Sequence, residues 1–409
     1  MAMVAGGHAR PARFMLLAML SVVACAAWAV LATVRLPFWR RIPRLGGEAQ
    51  LPDWPGVLAV IPARNEAATI GAVVRAHASA RYAGDFRIII VDDHSTDATA
   101  ELAREAAGDL KMAVLAASPL REGWTGKLNA VDAGLARGLE FAPDAKYVLL
   151  TDADIALAPG TLARLVAHAE THGTALVSLM ARLDARGMWG GLLVPAFVFF
   201  FQKLYPFHRV NDAGARDAAA AGGCMLVRRD ALEAIGGVAA IRWKLIDDCA
   251  LAALVKKSGR KIWLGVAKDE AISLRDNRAL ASIWSMVARS AFTQLDYSWP
   301  LLIVTVAGMT LLYLAPPAIA LAYPLHENAA AAALGLAAWG LAAATYLPTA
   351  RVYDQATWKT VFLPIAALFY MLMTISSAVD HARGKGTRWK GRAYARRRRD
   401  ERSHAVDSA

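Results

Sequence analysis

Four apolar runs without a charged residue constrain this chain most: residues 14–34, 301–323, 329–348 and 360–379. A helix needs about 20 apolar residues to cross a bilayer, and each run reaches that length. A long polar stretch lies between the first run and the second. Overall, 56% of the 409 residues are hydrophobic, too many for an ordinary water-soluble domain. The expected layout is a tail (1–13), a transmembrane anchor (14–34), a folded domain (51–291), C-terminal membrane segments (301–379) and a basic tail (380–409). A secretory signal core is about 7–15 residues long. The first run is longer and leads into Arg35, Arg40, Arg41 and Arg44, a cytoplasmic flank by the positive-inside rule.

The formal net charge is +12, and residues 380–409, with ten Lys or Arg and four Asp or Glu, carry +6 of it. Next to a membrane segment such a tail fits anionic lipid, at about 1 kcal/mol per basic residue near the surface. No nucleic-acid partner is expected. Three cysteines, Cys25, Cys224 and Cys249, have no metal-ligand or disulfide-framework spacing, and buried reduced thiols are expected.

The polar middle alternates strand-like and helix-like segments. Short apolar runs predict strands at 57–61, 86–91, 112–115, 147–150 and 175–180, with Pro62 ending the first. Helical patterns follow from Glu66, from Ser95 and Asp97, over 125–139, and over 159–172 with proline in the first turn. The class is α/β, a mainly parallel, Rossmann-like sheet covered by helices. In such sheets ligands bind beyond the carboxyl ends of the strands. Arg64, Asn65 and Glu66, then Asp92 and Asp93, then Asp152 and Asp154 all fall at strand ends, so three of them aim polar groups at one rim.

Composition at that rim narrows the ligand. "IPARNEAAT" has no glycine in its turn, which argues against a dinucleotide site. "GWTGK" has too short a spacing for a phosphate-binding loop of the Walker type. In "LLTDADIAL", Asp152 and Asp154 flank one residue directly after a strand, and carboxylate oxygens suit Mg²⁺ or Mn²⁺.

"IPARNE", "VDDHSTDAT", "GKLNA", "TDADI", "GGCMLVRRDALEAIGG" and the pair Asp247–Asp248 occur in this order. Together they resemble the family 2 glycosyltransferases of GT-A fold. "WTGK", "LIDDCALA" and "MVARSAFTQLDYS" are most similar to the ceramide glucosyltransferase-like branch, and within it to the hopene-associated glycosyltransferases of bacterial hopanoid gene clusters. The resemblance implies a UDP-sugar donor, a divalent metal, a lipid acceptor and a multi-pass protein of the bacterial inner membrane with its domain in the cytoplasm. It implies that Pro62, Ala63 and Glu66 shape the nucleoside pocket and that Asp93 contacts the base. It puts Lys127 at the diphosphate, Asp152 near the ribose or metal, and Asp154 on the metal. Gly222 and Gly223 would shape the acceptor side, and Asp248, within the Asp247–Asp248 pair, would be the catalytic base. Asp92 reads as a turn-forming acid.

The chemistry is consistent with these roles, because an attacking hydroxyl must lose its proton and a carboxylate serves as general base. One such base opposite the leaving group fits inversion. The Q-x-x-R-W motif of processive synthases is missing, which points to single transfer; Arg289 and Gln294 take an acceptor-side or diphosphate role in that region. The aromatic stretch 187–209 is expected to lie at the membrane interface beside the acceptor. Transfer onto polyprenyl phosphate and a non-catalytic membrane scaffold are the rival readings. One conflict stands: three C-terminal spans after a cytoplasmic domain would put the basic tail outside, against the positive-inside rule. A cytoplasmic tail, with one run not a full span, is the expectation.

Overall fold

The computed structural model describes residues 9–33, 37–40, 42–47, 50–384, 388–389 and 392–393. Most of the basic tail and the first eight residues lie outside them. In chain order the strands are β1 (Gly56–Ala63), β2 (Phe86–Asp92), β3 (Met112–Ala116), β4 (Ala145–Thr151), β5 (Ile155–Leu157), β6 (Thr174–Met180), β7 (Cys224–Arg228), β8 (Lys261–Val266) and β9 (Ala271–Ser273). Seven form one sheet in the order β3-β2-β1-β4-β7-β6-β8, and β5 pairs with β9 beside it. All pairs in the large sheet are parallel except those of β7 with β4 and β6. The chain moves outward from β1 to β3, then returns to place β4 on the other side of β1. This reversal leaves a crevice beyond the carboxyl ends of β1 and β4, where α/β sheets bind ligands.

Strand alternation sorts the apolar side chains onto two faces. Val57, Ala59, Ile61, Ile88, Ile90 and Leu149 pack against Ile70, Val73, Val74, Leu162 and Leu165 of the covering helices. On the other face, Leu58, Val60, Ile89, Val91 and Val148 meet Leu128, Val131 and Leu135 of the helix Gly126–Phe141. Each such fully buried side chain contributes roughly 1.5–3 kcal/mol by its removal from water. Gly134 and Gly138 allow that helix to approach closely, since a Cβ at either would lie within 2.7 Å of Val60 or Leu58. The second cluster continues without a break into Phe199, Tyr346 and Tyr370 of the apolar helices.

Several boundaries differ from those the sequence predicts. Pro62 does not end β1; the strand runs on to Ala63, with Pro62 opposite Val91 of β2. Pairing with β4 stops at Val60, so the missing proline N–H breaks no ladder bond on that side. Helices begin later, at Ile70, Thr99 and Thr161; before the first two, polar residues build turns instead. β5, β7, β8 and β9 have no counterpart among the predicted strands.

Among the described residues, five helices are long and apolar enough to cross a membrane: Phe14–Thr33, Gly187–Leu204, Trp299–Leu321, Ala329–Val352 and Thr357–Ala382. Met15, Leu16, Val22, Ile303, Val304 and Leu336 are exposed along them, an apolar surface that water would penalise. Gly187–Leu204 is a special case. β6 precedes it, β7 follows it, and the two are hydrogen-bonded neighbours. One full crossing would put them on opposite sides of the bilayer, so this helix does not make one. Trp299–Leu321 is interrupted by a π-helical turn, Thr310–Leu314, just before Pro316 and Pro317. Pro316 has no N–H to offer the Leu312 carbonyl four residues back. Trp28 of the first helix donates its indole N–H to that carbonyl at 2.8 Å.

Candidate active site

The turns at the carboxyl ends of β1 and β2 are tied together by short polar side chains. Asp92 accepts from both the backbone N–H and the hydroxyl of Ser95. Asn65 accepts from the Thr96 N–H at 2.8 Å and donates its own N–H to Ser95 Oγ at 3.0 Å. Asp92 is thus a turn-former. Asp93 is fully buried, its N–H donating to the Ala63 carbonyl at 2.8 Å. The Arg64 guanidinium lies 3.8 Å from its carboxylate and His94 Nδ1 3.3 Å away.

A cavity of about 690 Å³ opens beside these turns. Pro62, Glu66, Lys127, Asp152 and Asp154 line it at the rim of the sheet, with Gly222, Gly223, Asp247 and Asp248 from the opposite loops. Asp93 and Ala63 stand behind this wall. Thr125 caps the helix Gly126–Phe141, accepting from the Leu128 N–H, and so places Lys127 in its first turn. Lys127 Nζ lies 3.0 Å from Asp152 and 3.2 Å from Asp247. Burial pulls the Lys127 ammonium down, but Asp152, Asp247 and Asp248 outweigh it and hold the cation well above its ordinary range.

Asp247 and Asp248 open the helix Asp247–Lys257, where the dipole favours acids. Asp248 accepts from the Gly222 N–H at 2.8 Å and the Cys249 N–H at 2.7 Å. A Cβ on Gly222 would come within 3.3 Å of both Asp248 Oδ2 and Lys127 Nζ, so no larger residue fits without displacing one of them. Burial, then the Asp247 charge, push the Asp248 carboxyl up to about 6, against the opposing pull of Lys127. That value suits a base working near neutral pH.

Asp154 is nearly buried. It accepts from the Ser273 hydroxyl at 2.8 Å, and Arg275 Nε lies 3.4 Å from the same oxygen, with another guanidinium nitrogen 3.8 Å from Glu66. No cluster of three or more His, Cys, Asp or Glu arranged for a metal occurs among the described residues. Mg²⁺ in phosphate sites is commonly held by one or two carboxylates plus the substrate's phosphates. Asp154 and Asp152 are the carboxylates that such a site would use, and a metal there would have to displace Arg275 from Asp154.

Arg289 and Gln294 line the same cavity, and Gln294 exchanges hydrogen bonds with the Tyr205 hydroxyl at 2.8 and 3.1 Å. All the sequence-derived residues except Asp93 and Ala63 therefore meet on one cavity. Sequence reasoning missed Ser273, Arg275, Asn277 and Tyr205, which lie outside any motif. For Ser273, Arg275 and Asn277 the only signal is the polar cluster in "SLRDN" after a short apolar strand, and Tyr205 lies in the aromatic stretch 187–209. Beyond Arg289 the cavity continues between apolar helices, where Phe197, Phe200, Met309, Leu312 and Tyr370 line it. The three cysteines are free thiols, with Cys224 and Cys249 buried.

A central reversal of strand order, a carboxylate-rich crevice at that reversal and an antiparallel β7 beside β4 define the GT-A fold. Residues 58–236 match the family model described as glycosyl transferase family 2. Over 203 residues it is 30% identical to a beta-monoglucosyldiacylglycerol synthase of Synechocystis sp., covering 48% of this chain and 39% of that one. The chain thus spans about two fifths of the length of this curated relative. Among solved structures, a mannosyltransferase from Pyrobaculum calidifontis in complex with GDP-Man and Mn²⁺ is similar at a TM-score of 0.55. That match covers 91% of this chain and 99% of the other, at 19% identity, and bears on the fold alone.

Proposed function

We propose that this chain is a membrane-bound, metal-dependent glycosyltransferase that moves one sugar from a UDP-sugar to a hydroxyl of a lipid acceptor, with inversion. The observation that carries this reading is the single cavity with two chemistries. Its rim holds Lys127, Asp152, Asp154 and Asp248, and its far end is walled by aromatic and aliphatic side chains of the apolar helices. A nucleotide sugar fits the first part and a lipid the second. The helix Gly187–Leu204, which supplies Phe197 and Phe200, lies at the membrane interface in this reading. The relative named for a glucosylated diacylglycerol supports a lipid acceptor. A hopanoid is the particular acceptor that the motif resemblance favours.

Asp93 and the β1 turn bind the uridine end, once Arg64 and His94 make room for the base. Lys127 trades part of its contact with Asp152 and Asp247 for the diphosphate. Asp154, with Asp152, holds Mg²⁺ or Mn²⁺, which when bound neutralises charge on the leaving diphosphate. Asp248, fixed by two backbone N–H groups, takes the proton of the attacking hydroxyl. The protein sits in the bacterial inner membrane with its domain in the cytoplasm.

Transfer onto polyprenyl phosphate is the second reading, and Lys203 favours it. Its ammonium lines the cavity, donates to the Tyr313 hydroxyl at 2.7 Å, and has no carboxylate within ion-pair distance among the described residues. The test is purified full-length protein in nanodiscs with radiolabelled UDP-sugars, Mn²⁺ and total bacterial lipid. Mass analysis should find the label on a neutral lipid. Label on polyprenyl phosphate instead selects the second reading, and no labelled lipid from any donor defeats both.

A further inference from the structure

The segment between β9 and the helix Leu280–Ala288 is held in place along its length. Ser273 and Arg275 engage Asp154, and the Leu274 N–H donates to the Asp154 carbonyl at 2.7 Å. Asp276 caps its own turn through the Arg278 N–H at 2.9 Å, and its carbonyl accepts from Ser282 Oγ at 2.7 Å. The Asn277 carbonyl packs against Gly190 of the helix Gly187–Leu204, where a Cβ would come within 3.3 Å of it. Within this rigid frame the Asn277 side chain is 1% exposed and lines the cavity. Among the described residues, neither its amide oxygen nor its amide nitrogen has a hydrogen-bond partner.

A primary amide offers two N–H donors and an acceptor oxygen. Burying it unpaired is unfavourable, and an apolar side chain of the same size would avoid that cost. Both ends of the amide are idle, so what completes it must both give and accept hydrogen bonds. A fully deprotonated anion cannot donate, and an ammonium or guanidinium cannot accept. A hydroxyl does both, and two adjacent hydroxyls match the donor and acceptor of one amide together. We propose that Asn277 is a recognition residue for a hydroxyl, or a neighbouring pair, on a polyol substrate. The proposal rests on the glycosyltransferase reading and deepens it. It places a determinant of substrate choice in 274–279, outside the 58–236 domain that matches the family. The transferred sugar and a hydroxylated acceptor headgroup are the two sources of such a group.

The experiment uses full-length protein in nanodiscs with UDP-glucose, UDP-galactose and UDP-N-acetylglucosamine, their monodeoxy analogues, and lipid polyols with single hydroxyls removed. With the wild type, one hydroxyl deletion should lower kcat/KM about 10- to 100-fold, as expected for one or two lost hydrogen bonds. Asn277→Ala should show the same loss on the intact substrate and no further loss with that deoxy compound. A deoxy sugar that closes this cycle assigns the donor, and a deoxy lipid assigns the acceptor. Asn277→Leu without substrate should unfold at the same temperature as wild type or higher, because an idle amide has been replaced by an apolar group of similar volume. The inference is overturned if Asn277→Ala turns over all intact substrates normally. It is equally overturned if Asn277→Leu lowers the unfolding temperature, which would show that the amide already has a structural partner. If the wild type transfers no sugar from any donor while Asn277→Leu behaves as expected, the enzymatic reading fails and the idle amide stands.

Discussion

Asp248 carries two opposed demands. In the proposed role of base it must be ionised at working pH, yet it sits where burial and the neighbouring Asp247 charge both resist ionisation. Turnover should therefore rise with pH through about 6 as Asp248 loses its proton. Asp247→Asn removes the like charge, so that acidic limb should move to lower pH in a pH–rate profile. Asp248→Asn keeps the shape without the base, and turnover should fall about 10²–10⁴-fold with little change in donor affinity. If Asp247→Asn is the dead variant and Asp248→Asn turns over, the roles within the pair are reversed. Stability follows with the opposite sign. An acid whose folded pKa is raised stabilises the fold fully below its ordinary pKa near 4, and that contribution is lost as pH rises through about 6. Asp248→Asn should consequently unfold at a higher temperature than wild type at pH 7. Asp154→Ala should abolish metal-dependent binding of the UDP-sugar; calorimetry in which Mn²⁺ still strengthens binding would refute its metal role. Asp154 was legible because its motif follows directly on a strand end, and the Asp247–Asp248 pair because of its place in an ordered set of motifs. Arg275 and Asn277 were not, because what makes them notable is a partner distant in sequence, or the lack of one.

At the level of elements, the parallel half of the sheet was readable from runs such as "IIIV" (88–91), which are apolar at every position because both faces are covered. β7 was harder. "CMLVR" sits inside a motif that draws attention to its glycines, and nothing local says that it runs antiparallel between β4 and β6. Such pairing is a property of the whole sheet rather than of the segment. The membrane helices show the reverse case: their lengths follow from composition, but how they lock together does not. Trp28 holds the carbonyl that Pro316 leaves without a helical partner, and its ring meets Tyr313 edge-on at 5.3 Å. Lys203 lies over both rings at 4.9 Å. Trp28→Phe preserves most of the packing but removes the donor, which should cost about 1–3 kcal/mol. The measurement is a lowered unfolding temperature in detergent; an unchanged value would mean that the anchor does not rely on this bond.

For the whole molecule, the side of the membrane on which the chain ends is the sharpest open consequence. Three full C-terminal crossings would put residue 409 opposite the domain, whereas the +6 tail belongs on the cytoplasmic side. Ser408→Cys in intact cells should resist a membrane-impermeant maleimide, and labelling from outside would mean that all three helices cross. The two-ended cavity has a consequence for kinetics. Under the proposed function its donor arrives by diffusion in three dimensions, but a lipid that enters between the apolar helices arrives by diffusion in two. The effective acceptor concentration is then a mole fraction in the bilayer. Added inert lipid should slow turnover at constant total acceptor, as an enzyme surface diluted in its own solvent would be, while the KM for the nucleotide sugar stays where it was.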